Sequence, residues 1–112
     1  MSDGRLPAHL EVAAFIRAAE SAGGFATVIA KGERDAGVVV ILTTERGENA
    51  RLWERMPSFE GPRAFAVTWV EGADSKDNIS DYIARRRARD PDMWVLELDI
   101  AEAERFVAEL FH

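Results

Sequence analysis

The chain is 112 residues long, 47% hydrophobic and 30% charged, with 20 acidic against 14 basic side chains and no cysteine. That length suits one hydrophobic core, the composition excludes a disordered chain, and the missing thiols exclude disulfides, thiolate metal sites and cysteine nucleophiles. A net charge of −6 repels phosphates and anionic lipid headgroups at long range, so a nucleic acid role requires a local basic patch set against the overall field.

The first dozen residues, Met1 to Val12, lack the basic region and uninterrupted apolar run of a secretory signal. The longest strongly apolar run, Val38 to Leu42, is far short of the roughly 20 residues that cross a bilayer. The expectation is a soluble cytoplasmic protein made of a single domain over residues 1–112.

Placed at about 100° per residue, Val12, Phe15, Ile16, Ala19 and Ala22 share one face, with Glu11, Arg17, Glu20 and Ser21 outside it. This predicts a helix over Leu10–Ala22, ended by the left-handed geometry that Gly23 and Gly24 permit. Four strands are predicted next, at Phe25–Ala30, Val38–Thr44, Ala50–Arg55 and Ala64–Val70. Turn segments at 31–37, 45–49 and 57–62 separate them. Connections this short hold no crossover helix, so consecutive strands are expected to pair antiparallel. Val38 to Leu42 is apolar on both faces, as a central strand would be, whereas Ala50–Arg55 is polar enough to read as an edge or half-exposed strand.

A second helix is predicted over Asp77–Arg89, capped by Ser75 or Asp77 and stopped by Pro91. The fifth strand is Met93–Leu98. A last helix starts after Asp99, where Asp99 and Glu102 have capping-box spacing and Ala103, Phe106, Val107 and Leu110 share a face. The fold class is therefore α+β, a bent, mostly antiparallel five-stranded sheet with three amphipathic helices. A helix followed by bent antiparallel strands is also similar in topology to the Sm-like barrel, a ring-forming RNA-binding fold. Two features depart from that barrel: a helix separates strands four and five, and neither an Asp–Met–Asn-type loop nor an Ile-Arg-Gly turn is present.

The one basic cluster is Arg85, Arg86, Arg87 and Arg89. Its structural reading is helix electrostatics, with Asp77 and Asp81 near the N-terminus and the arginines near the C-terminus. Its functional reading is an anion or RNA patch formed by Arg85, Arg86 and Arg89. Arg86 strains the first reading, because it falls in the middle of the apolar face set by Ile79, Tyr82 and Ile83. A half-buried guanidinium needs a carboxylate, and Glu97, Asp90 and Asp92 are the nearest in sequence. An internal Arg86 ion pair that docks this helix on the sheet is the expectation.

Trp53, Trp69 and Trp94 all lie in predicted strands and read first as core. The alternative makes one of them an exposed interface anchor. Trp53 in its polar strand is the first candidate and Trp94 the second. Asp90 and Asp92 straddle a proline in a turn, His9 and His112 sit near the chain ends, and no phosphate-loop motif occurs. The glycines at 23, 24, 32, 37 and 47 are expected at positive φ in turns and caps. No catalytic residue, metal site or cofactor is predicted.

The segment Tyr82-Ile-Ala-Arg-Arg-Arg-Ala-Arg-Asp-Pro-Asp-Met-Trp-Val-Leu-Glu97, with Gly24-Phe25 and the stretch Gly32 to Gly37, is distinctive. Through it the chain resembles a family of short alphaproteobacterial proteins known as domain of unknown function 1491. The resemblance implies a bacterial cytoplasmic protein and carries no catalytic residues. The favoured function is a non-enzymatic interaction or regulatory domain, with an unknown protein partner or a homo-oligomer formed through a strand edge or an exposed tryptophan. Single-stranded RNA or anion binding through the arginine helix comes second, and a small Asp/Glu/Arg enzyme third.

Overall fold

The computed structural model of the protein describes residues 6–58, 61–72 and 78–110. In chain order these form α1 (Ala8–Ser21), β1 (Phe25–Ala30), β2 (Val39–Glu45), β3 (Glu48–Ser58), β4 (Gly61–Val70), α2 (Ile79–Arg89), β5 (Trp94–Asp99) and α3 (Ala103–Glu109). β3 and β4 run on to Ser58 and from Gly61, so most of the expected turn at 57–62 is strand. α2 starts two residues later than predicted. Its cap is Asn78, whose side chain accepts from the Asp81 amide at 2.8 Å; Ser75 and Asp77 lie outside the described residues.

The sheet order is β1-β5-β2-β3-β4. β2, β3 and β4 form an antiparallel meander, as short connections require. β1 and β2 do not pair, which corrects the sequence expectation. β5 lies between them, antiparallel to β1 and parallel to β2. A parallel strand has to be reached by a crossover, and α2 supplies it, carrying the chain from the β4 edge back to β5. The sheet is open, with β1 and β4 at its two edges, and does not close into a barrel.

The segment between β1 and β2 must pass over the start of β5, and its glycines follow from that crossing. A Cβ on Gly32 would stand 2.0 Å from the Asp92 carbonyl oxygen, and one on Gly37 would stand 2.5 Å from the same atom. Close approach, not positive φ, demands glycine at these two positions. Gly47 is different: it has φ 78° beside Arg46 at φ 57°, the pair of left-handed residues that a two-residue β2–β3 hairpin turn needs.

The two faces of the sheet carry separate cores. On one, Val12, Phe15 and Ala19 of α1 and Ala103 and Val107 of α3 pack on Val39, Ile41, Trp53, Leu96 and Leu98. On the other, Ile83 of α2 packs with Val40, Leu42, Leu52, Trp69 and Val95, flanked by Ile79 and Tyr82. Strand alternation sends Val39 and Ile41 to one core and Val40 and Leu42 to the other, which is why β2 reads apolar throughout and is buried along nearly its whole length. β3 is an interior strand with Leu52, Trp53 and Glu54 buried, correcting its reading as an edge or half-exposed strand. Its polar residues are paired across layers, and pairing of that kind is invisible to local pattern.

Asp99 and Glu102 do not form the expected capping box. Glu102 is left-handed, at φ 52°. The Asp99 carboxylate instead accepts from the Arg46 amide at 2.8 Å and the Gly47 amide at 3.1 Å, tying the hairpin turn to the end of β5. The first amide of α3, on Ala103, donates to Glu45 of β2 at 2.9 Å. A residue distant in sequence thus does the work of a local cap.

Candidate functional site

The arginines of α2 go to separate destinations. Arg86 enters the sheet and pairs with Glu54 of β3, Nη1 to Oε1 at 2.5 Å. The other carboxylate oxygen of Glu54 accepts from the Thr68 hydroxyl at 2.6 Å. The Glu54 side chain is 10% exposed and that of Arg86 31%. The pair holds the Arg86 guanidinium above its ordinary pKa, with Glu54 as the chief cause and Tyr82 adding to it against the opposing effect of burial. Arg86 does dock the helix through a carboxylate, but the partner is Glu54 and not Glu97, Asp90 or Asp92. Closeness along the chain points to those neighbours, whereas the crossover lays α2 over β3.

Arg87 donates to three backbone oxygens, those of Lys31 at 2.9 Å, Pro91 at 3.0 Å and Met93 at 3.2 Å. It thereby fastens the end of β1 to the turn before β5. The Arg85 guanidinium lies 6.0 Å from the centre of the Tyr82 ring, and Arg89 is exposed on the last turn. Trp53 and Trp94 are 6% exposed and Trp69 8%. The Trp53 indole donates to the Thr43 hydroxyl at 2.8 Å and that of Trp94 to the Glu33 carbonyl at 2.7 Å. None of the three is the exposed anchor that the alternative reading required: Trp53 and Trp94 lie on interior strands, and Trp69 of the edge strand β4 turns into the core beneath α2.

Sequence reasoning missed a second cross-layer pair. Arg55 of β3 forks onto both carboxylate oxygens of Glu11 of α1, with side chains 7% and 12% exposed. The guanidinium also lies 4.8 Å from the centre of the Phe65 ring. Glu11 sits at the margin of the α1 apolar face and Arg55 alternates with Trp53. Arg55 is therefore inward by pattern and Glu11 only borders the face from outside it, and nothing local reveals that they meet.

Where β2 and β5 end side by side, a cleft of about 540 Å³ opens, lined by Phe25, Glu45, Arg46, Asn49, Asp99 and Glu102 among others. All the non-glycine residues of positive φ among the described residues, Arg46, Asn49 and Glu102, line it. Its carboxylates are engaged in holding the fold. Asp99 takes two backbone amides, Glu45 takes the α3 amide, and Glu102 pairs with Arg105 at 3.2 Å. Among the described residues no group of three or more potential metal ligands is assembled, and no described helix is long and apolar enough to cross a membrane.

One wall of the cleft, Phe25, is also the first residue of β1. This edge strand, Phe25-Ala-Thr-Val-Ile-Ala30, contains no charge and no proline, although both commonly guard an exposed edge. Phe25 is 75% exposed, Ile29 46% and Val28 39%. The opposite edge, β4, exposes one large apolar side chain among its described ones, Val67, while Phe65 and Trp69 turn inward. The single irregularity in β1 is a register shift between Val28 and Ala30. The strand therefore combines a free backbone edge with three exposed large apolar side chains.

Fold and site together define an α+β domain of three layers, an open mixed sheet with α1 and α3 on one face and α2 on the other, and one unguarded edge. Residues 6–108 match the family model for Protein of unknown function (DUF1491), and the chain belongs to that family. A crystal structure of a DUF1491 family protein from Caulobacter crescentus CB15 is similar at 33% identity with a TM-score of 0.75, covering 94% of this chain and 97% of that one. A solution structure of a protein from A. tumefaciens is similar at 29% identity and a TM-score of 0.73, covering 93% of each chain. An NMR structure of a Caulobacter crescentus CB15 family member gives 32% identity and a TM-score of 0.74, covering 93% of this chain and 94% of that one. No curated protein matches the chain.

Proposed function

We propose that this protein is a non-enzymatic interaction domain that takes an extended segment of a protein partner onto the free edge of β1 by strand addition. The observation that carries this reading is the unguarded edge itself, with Phe25, Val28 and Ile29 exposed on an uncharged strand. Edge backbone groups supply hydrogen bonds to an incoming strand, and apolar side chains on alternate positions supply area. Two further points favour binding over catalysis. The carboxylates of the neighbouring cleft are committed to backbone amides or to Arg105. In α2, Arg86 and Arg87 are committed to Glu54 and to loop carbonyls, so the basic cluster does not converge on one anion.

A photo-crosslinking amino acid at position 25, with position 67 of β4 as the control edge, tests the reading in cells that carry the gene natively. The expected result is a discrete adduct from position 25, lost when Val28→Lys is added, and little from position 67. Equal labelling from both edges, or none from either, would refute it.

A further inference from the structure

We infer that the partner fitted by this edge is a second copy of the same chain, paired antiparallel along β1 about a two-fold axis at Thr27. The inference rests on the interaction reading above and names its partner. A two-fold that joins antiparallel edge strands stands perpendicular to the sheet, so it returns each residue to the face from which it started. Side chains alternate between faces, so only registers that place a residue opposite itself keep like faces together. Thr27 lies in the regular stretch of β1, ahead of the register shift between Val28 and Ala30. With the axis there, Thr27 meets its own copy, Ala26 meets Val28, and Phe25 comes beside Ile29, which stands within the register shift, twice over. One operation covers all three exposed apolar side chains of the strand, and aromatic and β-branched side chains make favourable cross-strand pairs. An axis on Val28 would centre the pairing on the irregular stretch, which the Thr27 axis leaves at the margin, and would set Phe25 against Lys31.

Charge also favours a second copy. The net charge of −6 opposes self-association in general, but β1 carries none of it, so no like charges are set opposite one another in the new ladder. In the Thr27 register the lysine that follows the strand, Lys31, lies toward the turn at Gly23 that precedes β1 in the other copy. Gly23 lines the cleft that carries Glu45, Asp99 and Glu102. The symmetry makes this contact of cation with acidic rim twice. A six-residue strand is about 20 Å long, which places the interface at the small end of the range, below about 1,200 Å². Association is therefore expected in the micromolar range.

The chain has no cysteine, so Thr27→Cys carries one thiol. Antiparallel partners directly opposite stand about 4.5–5.5 Å apart at Cα, inside the span that a disulfide bridges. Under mild oxidation Thr27→Cys should form a covalent dimer at least about tenfold faster than Val67→Cys on the β4 edge, because pairing raises the local thiol concentration. Sedimentation of the unaltered protein from about 10 μM to about 1 mM should show mass rising toward the dimer. Phe25→Lys with Val28→Lys, both at exposed positions, should hold it at monomer mass with an unchanged circular dichroism spectrum. Equal crosslinking rates at 27 and 67, or a monomer throughout the series, would overturn the inference. The interaction reading survives that failure if position 25 still crosslinks to a different protein in cells, and falls with it if position 25 crosslinks to nothing.

Discussion

Replacing Arg86 with methionine is the sharpest test of how α2 is held to the sheet. The change keeps an unbranched apolar stem and removes the guanidinium, leaving the Glu54 carboxylate with the Thr68 hydroxyl as its remaining hydrogen-bond donor among those described. Orphaning one member of a fully buried ion pair costs about 3–5 kcal/mol. Glu54 meets that description with a side chain 10% exposed, but Arg86 is 31% exposed, so water can partly replace it. We therefore expect Arg86→Met to cost about 2–3 kcal/mol, Glu54→Gln about 1–2, and the double variant about 1–2 less than their sum. With a urea dependence of about 1–1.5 kcal/mol per molar for a domain of this size, Arg86→Met lowers the unfolding midpoint by roughly 2 M. The coupling should fall less on adding salt than that of a surface pair, because the Glu54 side chain is largely buried. The folded-state pKa of Arg86 is raised, so its stabilisation is complete below the unfolded value and is lost only as pH rises through the folded one. It adds no slope to stability between about pH 5 and 9. Additive single variants, or a cost below about 0.5 kcal/mol for Arg86→Met, would show that the contact is a surface pair and that apolar packing alone docks the helix.

Three further outcomes are expected. Gly32→Ala forces a Cβ to within 2.0 Å of the Asp92 carbonyl and should cost more than about 2 kcal/mol. Gly47→Ala has open space around it and strains only its φ of 78°, at about 1 kcal/mol; urea unfolding that ranks the two in the opposite order refutes the crossing-loop account. Glu45→Ala removes the acceptor for the first amide of α3 and should cost about 1 kcal/mol, with hydrogen exchange accelerated at Ala103 and not in α1. Glu33 is held below its ordinary pKa by the Ala36 amide first and the Asp35 amide second. Its contribution is present above the unfolded value and fades as pH falls through the folded one. A carboxyl carbon NMR titration should therefore find a depressed midpoint, and an ordinary midpoint removes the turn-capping role.

Much of the secondary structure is local and was legible in the residues. The α1 face of Val12, Phe15 and Ala19, the α3 face of Ala103 and Val107, and the two-sided burial of β2 all follow from side-chain periodicity. So does the conflict at Arg86, because an arginine at the centre of an apolar face is a local contradiction wherever the helix packs. The missing cysteine likewise excludes thiol chemistry whatever the fold.

What the residues could not decide was pairing between distant segments. β5 enters between β1 and β2, and that one choice makes the sheet mixed and requires glycine at positions 32 and 37. It also leaves β1, not β3, as an edge. The same is true of Glu54 as the partner of Arg86, of Glu11 as the partner of Arg55, and of Glu45 as the cap of α3. Each joins groups more than thirty residues apart. Periodicity fixes the direction in which a side chain points, and only the assembled layers determine what it meets. The exposed edge at Phe25–Ala30 is a product of that assembly: an apolar strand whose sequence would equally have suited the centre of the sheet.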